Sequence, residues 1–191
     1  MQFAILCCIC ILILFFTGAL DAACERMRIA PIRVAFTALS LIALSRFRFV
    51  PCPEITINAA AGFLPAYLLL GGILRRERVV EKSSLLLLLS GIAYSVALIL
   101  LADADKAFLL CISAALIAVF LRESPLFAMF TASLVPLIGP IFYACYELYT
   151  LGYASCDLNA PYVLDAQMIG LIATALASYF LGVRSPQPEN G

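Results

Sequence analysis

Glu54 and Asn58 sit in the stretch Pro53-Glu54-Ile55-Thr56-Ile57-Asn58-Ala59-Ala60-Ala61-Gly62-Phe63-Leu64-Pro65, and Asp165 and Gln167 open a second apolar stretch far along the chain. Carboxylates and amides set among apolar residues can hold a cation, pass a proton or work as a paired acid and base. Glu147 is a third carboxylate of this kind, closing an apolar run that begins at Pro125. Polar and helix-breaking groups at membrane depth are costly and are retained for a reason. Glu54 and Asp165 each have a simpler role available, as helix-start carboxylates stabilised by the positive end of a helix.

Other chemistries lose their usual reagents. The chain has no histidine, which removes the commonest zinc, copper and haem ligand and the commonest general base. Of its eight cysteines, Cys7, Cys8, Cys10, Cys111 and Cys145 fall in apolar runs, where cysteine behaves as a small hydrophobe. No two Cys-x-x-Cys pairs occur, so neither a metal nor an organic cofactor is expected. Cys52 and Cys156 border the two most polar segments and form the one pair for which a disulfide is considered.

The elements that must position these residues are membrane helices. With 64% hydrophobic and 13% charged residues and a mean hydropathy of +1.07, the 191-residue chain is too apolar for a single water-soluble domain. The composition predicts an all-α polytopic bundle of seven spans: 3–20, 31–47, 55–74, 84–102, 107–121, 125–148 and 162–183. The fifth run is short, and the second carries Arg33 and Arg46 at its ends, so six spans plus an interfacial helix is the alternative count. Residues 1–183 then form a single transmembrane domain, followed by a disordered tail at 184–191.

Charge is balanced at 12 basic and 12 acidic residues but unevenly placed. With the N-terminus outside and the C-terminus cytoplasmic, inner loops collect Arg26, Arg28, Arg33, Arg75, Arg76, Arg78, Lys82, Arg122 and Arg184. Only Arg46, Arg48 and Lys106 remain outside, the bias that orients a multi-pass protein in a cell membrane. The Arg75–Lys82 cluster reads as this topology signal and not as a nucleic-acid site.

Packing signals accompany the spans. Ala166, Gly170, Thr174, Ser178 and Gly182 recur every four residues, as do Asn58, Gly62 and Ala66, forming small stripes that let helices approach closely. The first stripe suits an internal seam or a partner helix docking through Gly170, Thr174, Ser178 and Gly182. Pro65, and Pro136 and Pro140 around Gly139, predict kinks or breaks in their helices.

Pro53-Glu54, Asn58 and Pro65, with Asp165 entering a late span ahead of Gly170, resemble an uncharacterised prokaryotic membrane family, domain of unknown function 1614. The likeness covers most of the chain, roughly Arg26 to Leu181, and implies a multi-pass helical fold with no assigned activity. Its paired glycine is Ala60-Ala61 here, its glycine-rich approach to the final aspartate is Asn159-Ala160-Pro161-Tyr162, and its aspartate in the sixth span is replaced within Gly139-Pro140-Ile141. An aspartyl dyad in this chain would therefore have to recruit Glu54 or Glu147 beside Asp165. Three functions follow from the residues: a small transport or permeation protein with an outward-half polar site, a non-enzymatic subunit of a membrane complex, and an intramembrane hydrolase.

Overall fold

A computed structural model describes residues 2–74, 125–154, 156–158 and 161–182, with isolated helical positions at 89, 92, 93 and 96. The order of elements is α1 (Gln2–Phe16), α2 (Asp21–Met27), α3 (Pro31–Leu44), β1 (Arg48–Cys52), β2 (Ile55–Asn58), α4 (Ala59–Leu74), α5 (Pro125–Leu151), β3 (Cys156–Leu158) and α6 (Pro161–Leu181). The architecture is mostly helical, as expected, but it carries a small sheet and is not all-α.

Only two described helices, α5 and α6, are long and apolar enough to cross a membrane, three if the bent pair α1–α2 counts as one span. The expectation of seven spans is corrected on this point. At 1.5 Å per residue, α3 with 14 residues and α4 with 16 reach about 21 and 24 Å, short of the roughly 30 Å of hydrocarbon. The expected spans at 84–102 and 107–121, the Arg75–Lys82 cluster and the tail at 184–191 lie outside the described residues.

The first apolar run divides because α1 stops at a capped turn. Thr17 Oγ1 donates to the carbonyls of Ile13 and Leu14, and Gly18 takes φ +73°. This left-handed residue ends the helix, and α2 leaves at 97° to α1. In the third run, Ile55-Thr56-Ile57 is β-branched and follows Pro53, so it extends as a strand and the helix starts only at Ala59.

The sheet has the order β1-β2-β3. β1 and β2 form an antiparallel hairpin around Pro53-Glu54, with an irregular register between Phe49 and Cys52; β2 and β3 pair in parallel. The strand backbone groups are thereby paired within the protein.

Contacts fix the helix directions. Ala4 and Cys8 of α1 share a groove with Leu41 and Ile42 near the end of α3, and the end of α3 is tied to the start of α4 through Asn58. The starts of α1, α4 and α6, the ends of α3 and α5, and the sheet gather at one end of the bundle. At the other end the Arg26 guanidinium lies 4.4 Å from the Tyr179 ring centroid, pinning α2 to the last turn of α6.

The main core joins Ala4 and Cys8, Ala38 and Leu41, Leu64 and Leu68, Phe127 and Phe130, and Leu164 and Met168. A second cluster seats Cys156 and Leu158 of the sheet on Leu137, Ala144 and Val163. Leu6, Ile13, Phe16, Phe36, Leu39, Leu176 and Phe180 are exposed. An apolar exterior of this kind suits a bilayer and not water.

Candidate functional site

The polar residues picked out above gather at the sheet end, each positioned by a local feature of sequence. Asn58 is the last residue of β2 and the cap of α4. Its Oδ1 accepts from the Ala60 N–H at 2.9 Å, and its Nδ2 donates to the Ser45 carbonyl at 3.0 Å. One buried amide thus starts α4 and ties it to the end of α3. Backbone bonding extends the join, with the Ala59 N–H donating to the Phe47 carbonyl at 3.0 Å.

Gln167 is fully buried where α4, α5 and α6 meet. Its Nε2 donates to the Ala61 carbonyl at 3.1 Å and to the Ser133 carbonyl at 2.7 Å. The first bond has a definite cause. In an α-helix the Ala61 carbonyl would accept from the residue four later, which is Pro65, and proline has no N–H. Gln167 supplies the missing donor from a neighbouring helix. The second bond has no such cause: Pro136 deprives the Ala132 carbonyl of a helical donor, whereas Ser133 has the Leu137 N–H four residues on and takes Gln167 as an additional donor. Gln167 Oε1 is buried without a hydrogen-bond partner among the described residues.

The predicted breaks at Pro65, Gly139 and Pro140 do not interrupt the helices. α4 runs through Pro65, and α5 runs through Pro136, Gly139 and Pro140 as one 27-residue helix. Lateral packing holds them: Pro65, Pro136, Gly139 and Pro140 are all buried.

Asp165 is half-buried on α6, and its Oδ1 accepts from the Ala4 N–H at 2.9 Å. The carboxylate therefore faces the positive end of α1, a different helix from its own. Glu54 sits at the hairpin tip with an exposed side chain, and its carbonyl accepts the Cys156 N–H at 2.8 Å. Glu147 is half-buried near the end of α5 and hydrogen-bonds Tyr143 one turn earlier. The structure thus gathers Asn58, Asp165 and Gln167 around helix starts, while Glu54 and Glu147 serve the hairpin and the end of α5. Among the described residues no group of three or more His, Cys, Asp or Glu could hold a metal ion.

Cys52 and Cys156 both pair with Ile55, from opposite sides of β2. Two strand spacings put their backbones about 9–10 Å apart, beyond the reach of a disulfide of roughly 7 Å. Cys156 is accordingly a free, buried thiol. Burial, then the Asp157 carboxylate and Cys145, push its pKa up from the ordinary 9.0.

No protein-family profile, curated protein or solved structure matches the chain. Its functional reading rests on its own geometry.

The stripe on α6 faces inward where it is described. Gly170, Thr174 and Ser178 are buried, and a Cβ placed on Gly170 would meet the Ala132 Cβ at 3.1 Å. Thr174 Oγ1 donates back to the Gly170 carbonyl at 2.6 Å. Gly182 instead ends α6, exposed, at φ +66°.

Ser45, Ser133 and the Ala4 N–H are the partners that residue-type reasoning missed. One signal pointed to part of this: Pro65 inside an apolar helix requires a donor for Ala61 from elsewhere.

Proposed function

We propose that this chain is a non-enzymatic helical subunit of a membrane assembly, in which buried polar side chains brace the bundle. The observation that carries this reading is the Gln167 amide, fully buried and spent on the Ala61 and Ser133 carbonyls. Asn58 is likewise spent on the Ala60 N–H and the Ser45 carbonyl, and Asp165 holds the start of α1. Side chains that bind or translocate a solute must exchange partners with it, whereas Asn58, Asp165 and the Gln167 bond to Ala61 serve backbone groups that lack a donor or acceptor of their own.

The same reading orients the chain with the sheet end outside and the C-terminus cytoplasmic. Arg26, Arg28 and Arg33 then lie at the inner end, beside the end of α6 and the start of α3, the sidedness expected of a multi-pass protein. The experiment is native sizing after mild extraction, paired with cation and solute flux in reconstituted vesicles. A stable complex larger than the monomer, with no flux above protein-free vesicles, is expected. A flux abolished by Asp165→Asn in a folded protein overturns the proposal in favour of a permeation protein.

A further inference from the structure

β1 is unusual among the described elements in what it leaves uncovered. Phe47, Phe49 and Val50 are 64%, 63% and 56% exposed, and Arg46, Arg48, Pro51 and Pro53 are exposed as well. Neighbouring residues of a strand point to opposite faces, so neither face of β1 is packed on the bundle. β1 is also an edge strand of its sheet. In water, an apolar edge strand of this kind is a template for aggregation.

The level of β1 along the bundle is set by hydrogen bonds. The Phe47 carbonyl accepts the Ala59 N–H that opens α4, and Arg48 pairs with Asn58, the α4 cap. Phe47 to Phe49 therefore lie level with the end of α3 and the start of α4, where apolar helix gives way to polar chain. The tip at Pro53-Glu54 projects beyond them by four or five residues, up to about 16 Å at 3.3 Å each. At the same end, Tyr146, Tyr149 and Tyr153 near the end of α5 are 46%, 90% and 68% exposed. α5, at 27 residues and about 40 Å, outreaches the roughly 30 Å of hydrocarbon and matches the thickness with headgroups included.

We infer that the Arg46–Val50 segment lies in the boundary between acyl chains and headgroups of a phospholipid leaflet, with the hairpin tip in water. This inference rests on the membrane reading above. The occupant of the exposed face is a phospholipid: Phe47 and Phe49 enter the acyl boundary while the Arg46 and Arg48 guanidiniums, each bound by no carboxylate among the described residues, bond its phosphate. A second copy pairing along β1 is disfavoured by Pro51, which has no N–H to offer, and by the register irregularity between Phe49 and Cys52.

The chain contains no tryptophan, so a single introduced indole reports its own depth without background. Phe49→Trp, Phe47→Trp, Glu54→Trp and Leu176→Trp are reconstituted one at a time in phospholipid vesicles. Each is then quenched by lipid-borne bromine and by aqueous iodide, with helicity checked by circular dichroism. Leu176, exposed on α6 five residues before its end, tests the membrane reading independently. The expected result is deep bromine quenching at Leu176→Trp and shallow bromine quenching at Phe49→Trp, whose iodide quenching is several-fold weaker than that of Glu54→Trp. Phe47→Trp repeats the shallow result if Phe49→Trp fails to fold.

Iodide quenching of Phe49→Trp equal to that of Glu54→Trp, with Leu176→Trp still deep, overturns the boundary placement alone. Loss of bromine quenching at Leu176→Trp overturns the membrane reading beneath it. Protection of Phe49→Trp from both quenchers that disappears on dilution into more lipid overturns the proposal in favour of a second copy.

Discussion

Replacing Gln167 with leucine keeps most of the side-chain volume and removes the amide that serves two helices. Ala61 then has an acceptor with no donor, because Pro65 offers none, while the Ser133 carbonyl retains the Leu137 N–H four residues on. Leaving a buried acceptor unpaired costs about 1–3 kcal/mol, and interhelical hydrogen bonds in membranes average about 0.6 with a ceiling near 1.7 kcal/mol. The change also removes Oε1, buried without a partner, which returns part of that loss. A net destabilisation of about 1–2 kcal/mol is expected, a factor of roughly 5–30 in the folded-to-unfolded ratio.

The cause is isolated by a second change. Pro65→Ala restores an N–H four residues after Ala61, so Gln167→Leu in that background should cost about 1 kcal/mol less than in the natural chain. The four proteins are compared by reversible unfolding in bicelles. Additivity within about 0.3 kcal/mol, the range expected of independent sites, would refute the claim that Gln167 substitutes for the donor that proline lacks.

Gly170→Ala places a Cβ 3.1 Å from that of Ala132 and should cost about 1–3 kcal/mol by overpacking, with partial recovery on adding Ala132→Gly; thermal denaturation in detergent reads both. Asn58→Ala loses the α4 cap and the tie to Ser45 and should lower stability by about 1–2 kcal/mol, whereas Asn58→Ser keeps a neutral side-chain acceptor for the Ala60 N–H and should lose less. An equal loss in the two melts would mean that the cap contributes nothing. Cys156 should react with maleimide more slowly in the folded than in the unfolded protein, followed by mass spectrometry as pH is raised. Because folding raises its pKa, the thiol stabilises the fold fully below 9.0 and loses that contribution as pH climbs toward the raised value. Equal labelling rates at all pH values would contradict its burial.

Helix ends were well marked in the chain for α5 and α6, where Pro125 and Pro161 stand at the first helical positions and long apolar runs follow. The reading of Ile55–Leu74 as one continuous span was wrong in its first turn. Hydropathy does not distinguish a β-branched strand from a helix over four residues, and Ile55–Asn58 needed β1 and β3 beside it to be a strand. The run 3–20 misled in a similar way: its apolar character continues through Gly18, but the backbone turns there. Hydropathy reports solvent and is blind to direction.

Among the site residues, type and spacing singled out Asn58, Asp165 and Gln167, because polar groups in apolar runs are rare enough to be noticed. Their partners were not legible. Gln167 meets Ala61 and Ser133 across separations of 106 and 34 residues, and Asp165 reaches Ala4 across 161. The composition of the chain accounts for helices long and apolar enough to cross a membrane, since burial of apolar surface depends on how much there is and little on its order. Which backbone group each polar side chain serves depended on helices crossing at close range, because a hydrogen bond forms only within about 3 Å and in the right direction.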